Sequence, residues 1–145
     1  MENLTKMTVD EFTTPSPIFV SPDASYEEVH KMMKGENIRH IPVVDSDNKP
    51  VGIISERDVL NISHLAEKEK VTASGFMTEN PFCVQSEESL GRVAFSMSKN
   101  KVGSAVVTDN EGKLVGIFTS TDALNALVEV LRGDYQDIVG ELGEF

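Results

Sequence analysis

The sequence predicts a mixed α/β (α+β) fold in which two copies of one βαββα unit pack together with pseudo-two-fold symmetry. The first observation is a duplication: a shift of 64 residues without a gap places residues 8–64 on residues 72–128, with identical pairs such as Gly52/Gly116, Ile53/Ile117 and Asp58/Asp122. The second is size, since a unit of about 55 residues cannot cover both faces of its own sheet. The two copies are therefore expected to share a core.

The first two elements of each copy are a strand and a helix. Pro17–Val20 and Pro81–Val84 are short apolar runs introduced by proline, which is typical of the start of a strand. In the first copy, Ser25 and Glu28 have the spacing of a capping box, apolar residues recur at helical spacing as far as Met33, and Gly35 is the predicted stop.

A hairpin and a second helix complete each copy. The apolar runs Ile38–Val44 and Val102–Thr108 lead into polar turns and then into a third run that ends in Gly-Ile-Ile or Gly-Ile-Phe. The last helix begins at Ser55 or Thr119.

These elements divide the chain into three parts. The first repeat is predicted at residues 8–64, the second at 72–131, and an acidic tail at 132–145. Residues 63–70 are interpreted as a helix end that runs into a linker. The tail is expected to be solvated, although its apolar residues leave open a docking segment.

Composition excludes several classes of function. The chain has 145 residues, with 13 Lys and Arg against 24 Asp and Glu, for a formal net charge of −11. Such a charge repels nucleic acid and anionic lipid surfaces, so neither nucleic acid nor membrane is an expected partner. The chain contains no long apolar run and no signal-peptide pattern, and its single cysteine, Cys83, suits a reducing compartment, so we expect a cytoplasmic protein.

No catalytic or metal-binding motif stands out. The three histidines do not have the spacing of a helical ligand pair, and one cysteine cannot build a thiolate cluster. The sequence therefore predicts no metal site, no required cofactor and no enzyme activity.

Two short strings carry the remaining signal: Gly52-Ile-Ile-Ser55-Glu-Arg-Asp58 and Gly116-Ile-Phe-Thr119-Ser-Thr-Asp122. Together with the βαββα order and the duplication, they resemble the CBS domain, whose members occur as tandem pairs called Bateman modules. The resemblance covers residues 8–131 and implies a stand-alone CBS pair. It also implies a regulatory module that binds adenosyl compounds (AMP, ADP, ATP or S-adenosylmethionine) in clefts between the repeats.

The signature string has two readings. A glycine lets a ligand or a neighbouring backbone approach closely, a hydroxyl at a helix start can hold ribose or phosphate oxygens, and the aspartate can accept from ribose hydroxyls. Equally, a hydroxyl residue followed by an acid three residues later forms a capping box that only stabilises the helix. Spacing alone does not separate the two roles of Ser55, Asp58, Thr119 and Asp122.

Cationic residues distinguish the two copies. The first has Arg39, His40 and Arg57, where the second has Gly103, Ser104 and Thr121. The resemblance implies that basic residues before the Pro-Val strand face the phosphate, so we expect at least one phosphate-bearing site, with the other weaker, empty or suited to a less charged adenosyl ligand. The alternative role of Arg39 and His40 is to pair with surface carboxylates. Adenine is expected against apolar residues and strand backbone near these positions: Thr14, Pro17, Ile18, Ile38, Pro81, Phe82 and Val102.

The sequence thus predicts a sensor that binds an adenosyl ligand and signals its occupancy to an effector protein that the sequence does not identify. The resemblance also implies a homodimer through the outer helices, at residues 26–33, 90–97 and 124–131. The alternative hypothesis is a ligand-free structural or dimerisation module.

Overall fold

A computed structural model describes residues 7–15 and 18–134, and it confirms the predicted α/β fold of two βαββα units. None of the helices within these ranges is long and apolar enough to cross a membrane. Single turns of 3-10 helix lie at Val9–Glu11 and Lys68–Lys70. The helices are α1 (Tyr26–Glu36), α2 (Glu56–Ser63), α3 (Ala73–Phe76), α4 (Leu90–Asn100) and α5 (Ser120–Asp134). The strands are β1 (Thr14–Pro15), β2 (His40–Val44), β3 (Pro50–Ser55), β4 (Thr78–Glu79), β5 (Cys83–Gln85), β6 (Ser104–Thr108) and β7 (Leu114–Thr119).

The strands form two sheets, and each sheet contains one short strand from the other repeat. The four-stranded sheet has the order β1-β7-β6-β5, and the three-stranded sheet has the order β2-β3-β4. In the first sheet Pro15 lies opposite Gly116, and in the second Glu79 lies opposite Gly52. These two exchanged strands connect the repeats by backbone pairing, and no pattern in the sequence indicates them.

The glycines of the two signature strings permit this exchange. A Cβ atom on Gly116 would lie 2.3 Å from Thr13 Cγ2 and 2.5 Å from the carbonyl oxygen of Thr14. A Cβ atom on Gly52 would lie 2.3 Å from Met77 Sδ. Of the two expected reasons for a glycine here, close approach of a neighbouring backbone is the one observed.

The start of each repeat also packs into the core of the other. Val9 is fully buried in a cluster with Val93 and Phe118 of the second repeat. Ala73, at the equivalent position of the second repeat, is fully buried in a cluster with Ile54 of the first. Because burial of apolar surface is the main favourable term in folding, each core depends on both repeats. The boundaries of the two repeats at residues 8–64 and 72–131 stay a prediction from the sequence.

The predicted hairpins are present, and they bring the start of one strand beside the signature at the end of the next. In the first repeat, β2 and β3 are antiparallel and His40 lies opposite Ser55. In the second, β6 and β7 are antiparallel and Ser104 lies opposite Thr119. The residue that starts the strand therefore neighbours the hydroxyl that starts the helix.

The first helix of the first repeat begins as predicted but ends differently. Ser25 Oγ accepts a hydrogen bond from the Glu28 amide at 3.1 Å, as an N-cap does. The predicted stop at Gly35 is wrong, since α1 continues through Gly35 to Glu36 and is closed by Asn37 with a φ of 53°. Asparagine tolerates this left-handed conformation, so glycine is not needed at the end.

The predicted opening strands are shorter than expected. Val20 forms only an isolated parallel bridge with Val43, and Pro17 lies outside the described residues. In the second repeat the strand starts at Cys83 rather than Pro81 and runs parallel to β6. Proline has no amide hydrogen to donate to a sheet, which agrees with a strand that starts after it.

The predictions for the linker between the repeats and for the C-terminal tail have different outcomes. After Ser63 the chain leaves α2 and reaches the 3-10 turn at Lys68–Lys70, as expected for a helix end that leads into a linker. Helix α5 extends to Asp134, beyond the predicted end of the repeat at residue 131. The rest of the predicted tail, residues 135–145, lies outside the described residues.

Candidate functional site

A cleft of about 760 Å³ lies between the two repeats. One wall comes from the end of α1 and the start of β2, and the other from the end of β7 and the start of α5; Thr14 of β1 also lines it. Its lining residues are Thr14, Ile18, Glu36, Asn37, Ile38, Arg39, His40, Gly103, Ile117, Thr119, Ser120, Thr121 and Asp122. The cleft therefore joins the signature of the second repeat to the basic residues of the first.

The Thr119–Asp122 signature forms a capping box at the start of α5. The Thr119 amide donates to Asp122 Oδ2 at 2.9 Å, and the Asp122 amide donates to Thr119 Oγ1 at 3.4 Å. The Thr119 hydroxyl also lies 3.2 Å from Asp122 Oδ2. Both side chains are partly exposed and line the cleft, so the same residues hold the helix start and remain accessible to a ligand.

The signature of the first repeat has the same local geometry but a different position. The Ser55 amide donates to Asp58 Oδ2 at 2.8 Å, and the Asp58 amide donates to Ser55 Oγ at 3.2 Å. Neither residue, nor Arg57 beside them, lines the cleft described here. Their assignment as ligand-binding residues stays a prediction.

Arg39 is the arginine that reaches the cleft from the first repeat. Its Nε lies 3.7 Å from Glu56 Oε2, and both side chains are largely exposed. Such an exposed pair contributes little to stability. The expected pairing with a surface carboxylate is therefore present for Arg39, and it does not prevent the guanidinium from also lining the cleft.

His40 lies deeper in the same wall. Burial lowers its pKa below the usual value, and the Arg39 charge acts in the same direction, whereas the carboxylates of Asp58 and Glu56 raise it. Its ring also lies close to the opposite repeat, since a Cβ atom on Gly103 would be 3.6 Å from His40 Nε2. His40 thus occupies the junction between the two repeats as a mainly neutral imidazole at pH 7.

Only some of the residues expected near adenine line the cleft. Thr14, Ile18 and Ile38 line the cleft. Val102 lines a second groove, of about 480 Å³, between α4 and α5, and Phe82 packs against the core of the second repeat. Pro81 does not line the cleft, and Pro17 lies outside the described residues.

Several lining residues were not singled out from the sequence. Glu36 and Asn37 come from the end of α1, and Gly103, Ser120 and Thr121 come from the second repeat. A helix that ended at Gly35, as predicted, would have left Glu36 and Asn37 in a loop. Arg39 and Gly103 occupy equivalent positions under the 64-residue shift, and the structure brings both to this cleft.

Comparison with known proteins gives a family match and several relatives. A family model for the CBS domain matches residues 9–65 and 73–129. L-aspartate semialdehyde sulfurtransferase of Methanocaldococcus jannaschii is 34% identical over 114 residues, which cover 79% of this chain and 22% of that protein. The chain thus spans about a fifth of the first curated relatives it matches. A CBS domain-containing protein of Dictyostelium discoideum is 27% identical over 88% of this chain and 95% of its own length.

Two solved structures match this chain over nearly the whole of their own length. CBSX2, a protein of Arabidopsis thaliana, has been solved in complex with AMP; it has a TM-score of 0.78 and 25% identity, and the match covers 86% of this chain and 98% of that one. A CBS domain pair in complex with 5′-methylthioadenosine and S-adenosyl-L-methionine has a TM-score of 0.76 and 31% identity, with 85% and 97% covered.

Proposed function

The chain belongs to the CBS domain family, and we propose that it is a regulatory module that binds an adenosyl ligand between its two repeats and signals occupancy to a partner protein. The observation that carries the proposal is the cleft itself, which combines Arg39 of one repeat with Thr119 and Asp122 of the other. The similar CBS pairs that bind AMP, or 5′-methylthioadenosine and S-adenosylmethionine, support the ligand class. The proposal involves binding without turnover, and the single cysteine supports a cytoplasmic location.

Each part of the ligand has a proposed contact in the cleft. Asp122 accepts hydrogen bonds from the ribose hydroxyls, as an acidic residue does in dinucleotide-binding folds. Ile18 and Ile38 supply apolar surface for the adenine, and Arg39 contacts the substituent on the 5′ carbon. Thr119 holds Asp122 in position through their shared hydrogen bonds.

Occupancy can become a signal because the ligand would touch both repeats at once. A ligand shifts a conformational equilibrium only if it binds one arrangement of the protein more tightly than another. Contacts from Arg39 and Asp122 to one molecule favour the arrangement in which these two walls are close. The effector protein would then distinguish the two arrangements.

Calorimetric titration with AMP and with S-adenosylmethionine tests this proposal. We expect binding by at least one of them, and we expect Asp122→Ala to weaken it about 10- to 100-fold, because hydrogen bonds to a charged group contribute about 1.5–3 kcal/mol. Asp45→Ala is the control, since Asp45 also accepts backbone amide hydrogen bonds, from Asp47 and Lys49, and does not line the cleft. Chromatography of the recovered ligand should show it unchanged. Absence of binding by both compounds at millimolar concentration would contradict the proposal.

We also propose that the module is a homodimer through α5. Most apolar residues of the other two predicted stripes, such as Val29 and Val93, are buried in the two cores, and Phe95 of α4 is the exposed exception. Among the described residues, helix α5 instead exposes four apolar side chains: Leu124, Leu127, Val128 and Leu131. Leu124 is 63% exposed. A contiguous exposed apolar face of this kind is typical of an interaction surface.

Light scattering coupled to gel filtration tests the dimer. Wild type is expected at twice the chain mass of 15.9 kDa, and Leu124→Glu is expected to shift it toward the monomer. Leu60→Glu, at the equivalent position of the first repeat, is the control and should leave the mass unchanged. A monomeric wild type would contradict the proposal.

A second candidate function is a ligand-free structural module. The observation that favours it is that both signature strings already form complete capping boxes within the protein. This candidate predicts dimerisation together with no heat of binding for any adenosyl compound, so the two experiments above distinguish it from the sensor.

A further inference from the structure

We propose that the cleft selects adenosyl compounds without net negative charge, such as a neutral thioether or a cationic sulfonium, over nucleoside polyphosphates. This inference rests on the proposed function and specifies the ligand class of the same cleft. Three features carry it: the charges that line the cleft, the hydrogen bonds at the start of α5, and the contrast with the equivalent positions of the other repeat.

The charges that line the cleft do not favour the binding of a ligand with several phosphate groups. Among the described lining residues, Glu36 and Asp122 are carboxylates and Arg39 is the matching cation. Arg39 already lies within ion-pair distance of Glu56, at 3.7 Å. His40 adds little positive charge at pH 7, because burial lowers its pKa. A triphosphate would therefore enter a cleft with more negative than positive charge, whereas a sulfonium would be attracted to it.

The amides at the start of α5 are largely occupied as well. A helix N-terminus binds phosphate through amide groups that have no partner in the helix. Here the Ser120 amide donates to the Gly103 carbonyl at 3.0 Å, and the Asp122 amide donates to Thr119 Oγ1. Two of the first three helical amides are thus engaged within the protein, and the Asp122 carboxylate stands in front of them.

The equivalent positions in the other copy carry residues whose charges would favour a phosphate group more strongly. Under the 64-residue shift, Glu36 corresponds to Asn100, Asn37 to Lys101 and Thr121 to Arg57. Each of these three replacements removes a negative charge or adds a positive one, whereas a fourth, Ser120 to Glu56, adds a single negative charge. The residues that line the described cleft are therefore the more acidic of the two sets.

The test is a set of calorimetric titrations at pH 7.5 and constant ionic strength, in EDTA, with S-adenosylmethionine, 5′-methylthioadenosine, AMP and ATP. We expect S-adenosylmethionine or 5′-methylthioadenosine to bind at least 10-fold more tightly than ATP, with AMP between them. Glu36→Gln should reduce the preference for S-adenosylmethionine over ATP at least threefold, because it removes one lining carboxylate.

Glu27→Gln is the control, since Glu27 lies on the same helix, is also exposed and does not line the cleft. The Glu27 variant should keep the wild-type preference. ATP binding as tightly as the stronger binder of S-adenosylmethionine and 5′-methylthioadenosine, or Glu36→Gln leaving the ratio unchanged, would overturn this inference while the adenosyl-sensor function stands. Absence of binding by all four compounds would overturn both.

Discussion

The two repeats share the glycines at their strand crossings and the aspartates in their capping boxes, and they differ in the cationic residues beside the cleft. Gly52 and Gly116 admit an exchanged strand in each sheet, and Asp58 and Asp122 complete a capping box in each signature. By contrast, Arg39 of the first repeat corresponds to Gly103 of the second, and both line the same cleft.

This difference separates what the fold needs from what a ligand needs. Identical residues such as Gly116 and Asp122 have a packing or capping role that both copies require, and Asp122 also lines the cleft. A residue that differs near the pseudo-two-fold axis can be specialised for one site, because the fold does not depend on it. Four predictions test the comparison, in order of decreasing effect.

The largest effect is expected at the strand crossings. Gly116→Ala should lower the free energy of unfolding by about 3 kcal/mol, because the new methyl group would overlap the backbone carbonyl of Thr14. Gly52→Ala should cost about 1 kcal/mol, since its nearest contact is the flexible end of Met77. Urea denaturation measures both. Equal losses would show that the two crossings are packed alike.

The capping boxes should contribute equally in the absence of ligand. Asp58→Ala and Asp122→Ala are each expected to lower the free energy of unfolding by about 1 kcal/mol, the usual value for a lost helix cap. The same denaturation experiment, without ligand, checks this. If Asp122→Ala raised stability instead, the carboxylate would be strained for binding rather than placed as a cap.

A smaller effect is expected from the protonation of His40. Burial lowers its pKa in the folded protein, so the folded state binds this proton less readily than the unfolded state does. This contribution to stability is present above the unfolded pKa of about 6.5 and is lost as the pH falls through the folded value. Between pH 7.5 and 5.5 the Tm of wild type should therefore fall more than that of His40→Ser, which carries the residue of the second repeat. An equal fall would contradict the prediction.

The smallest effect concerns the pair between Arg39 and Glu56. Arg39→Gly, which copies Gly103, should change the free energy of unfolding by less than about 0.5 kcal/mol, because both partners are exposed. Thermal melts with and without 0.5 M salt measure this. A loss well above 1 kcal/mol would assign Arg39 a structural role and weaken its proposed place at the ligand.

The sequence was sufficient to predict the repeated elements and insufficient to predict how the repeats combine. The duplication and the hydrophobic runs predicted the hairpins and helices because those elements depend on local periodicity. Strands β1 and β4 have only two residues each, and their pairing is with the other repeat, so no local pattern indicates them.

The site was predicted in part for the same reason. Thr119, Asp122, Arg39 and His40 were all identified as candidates, but which of them share a cleft depends on packing between repeats. Glu36 was missed because Gly35 was read as the helix end, whereas Asn37 closes the helix. The helix thus extends past its predicted stop by a single residue, Glu36, and this small error concealed the carboxylate on which the inferred charge preference depends.

The most direct test of the central claim is amide NMR mapping with 5′-methylthioadenosine added to the 15N-labelled protein. The account predicts the largest shift changes at residues 37–40 and 119–122, from opposite repeats, and small changes at residues 55–58. Changes confined to residues 55–58, or absent throughout at saturating ligand, would contradict it.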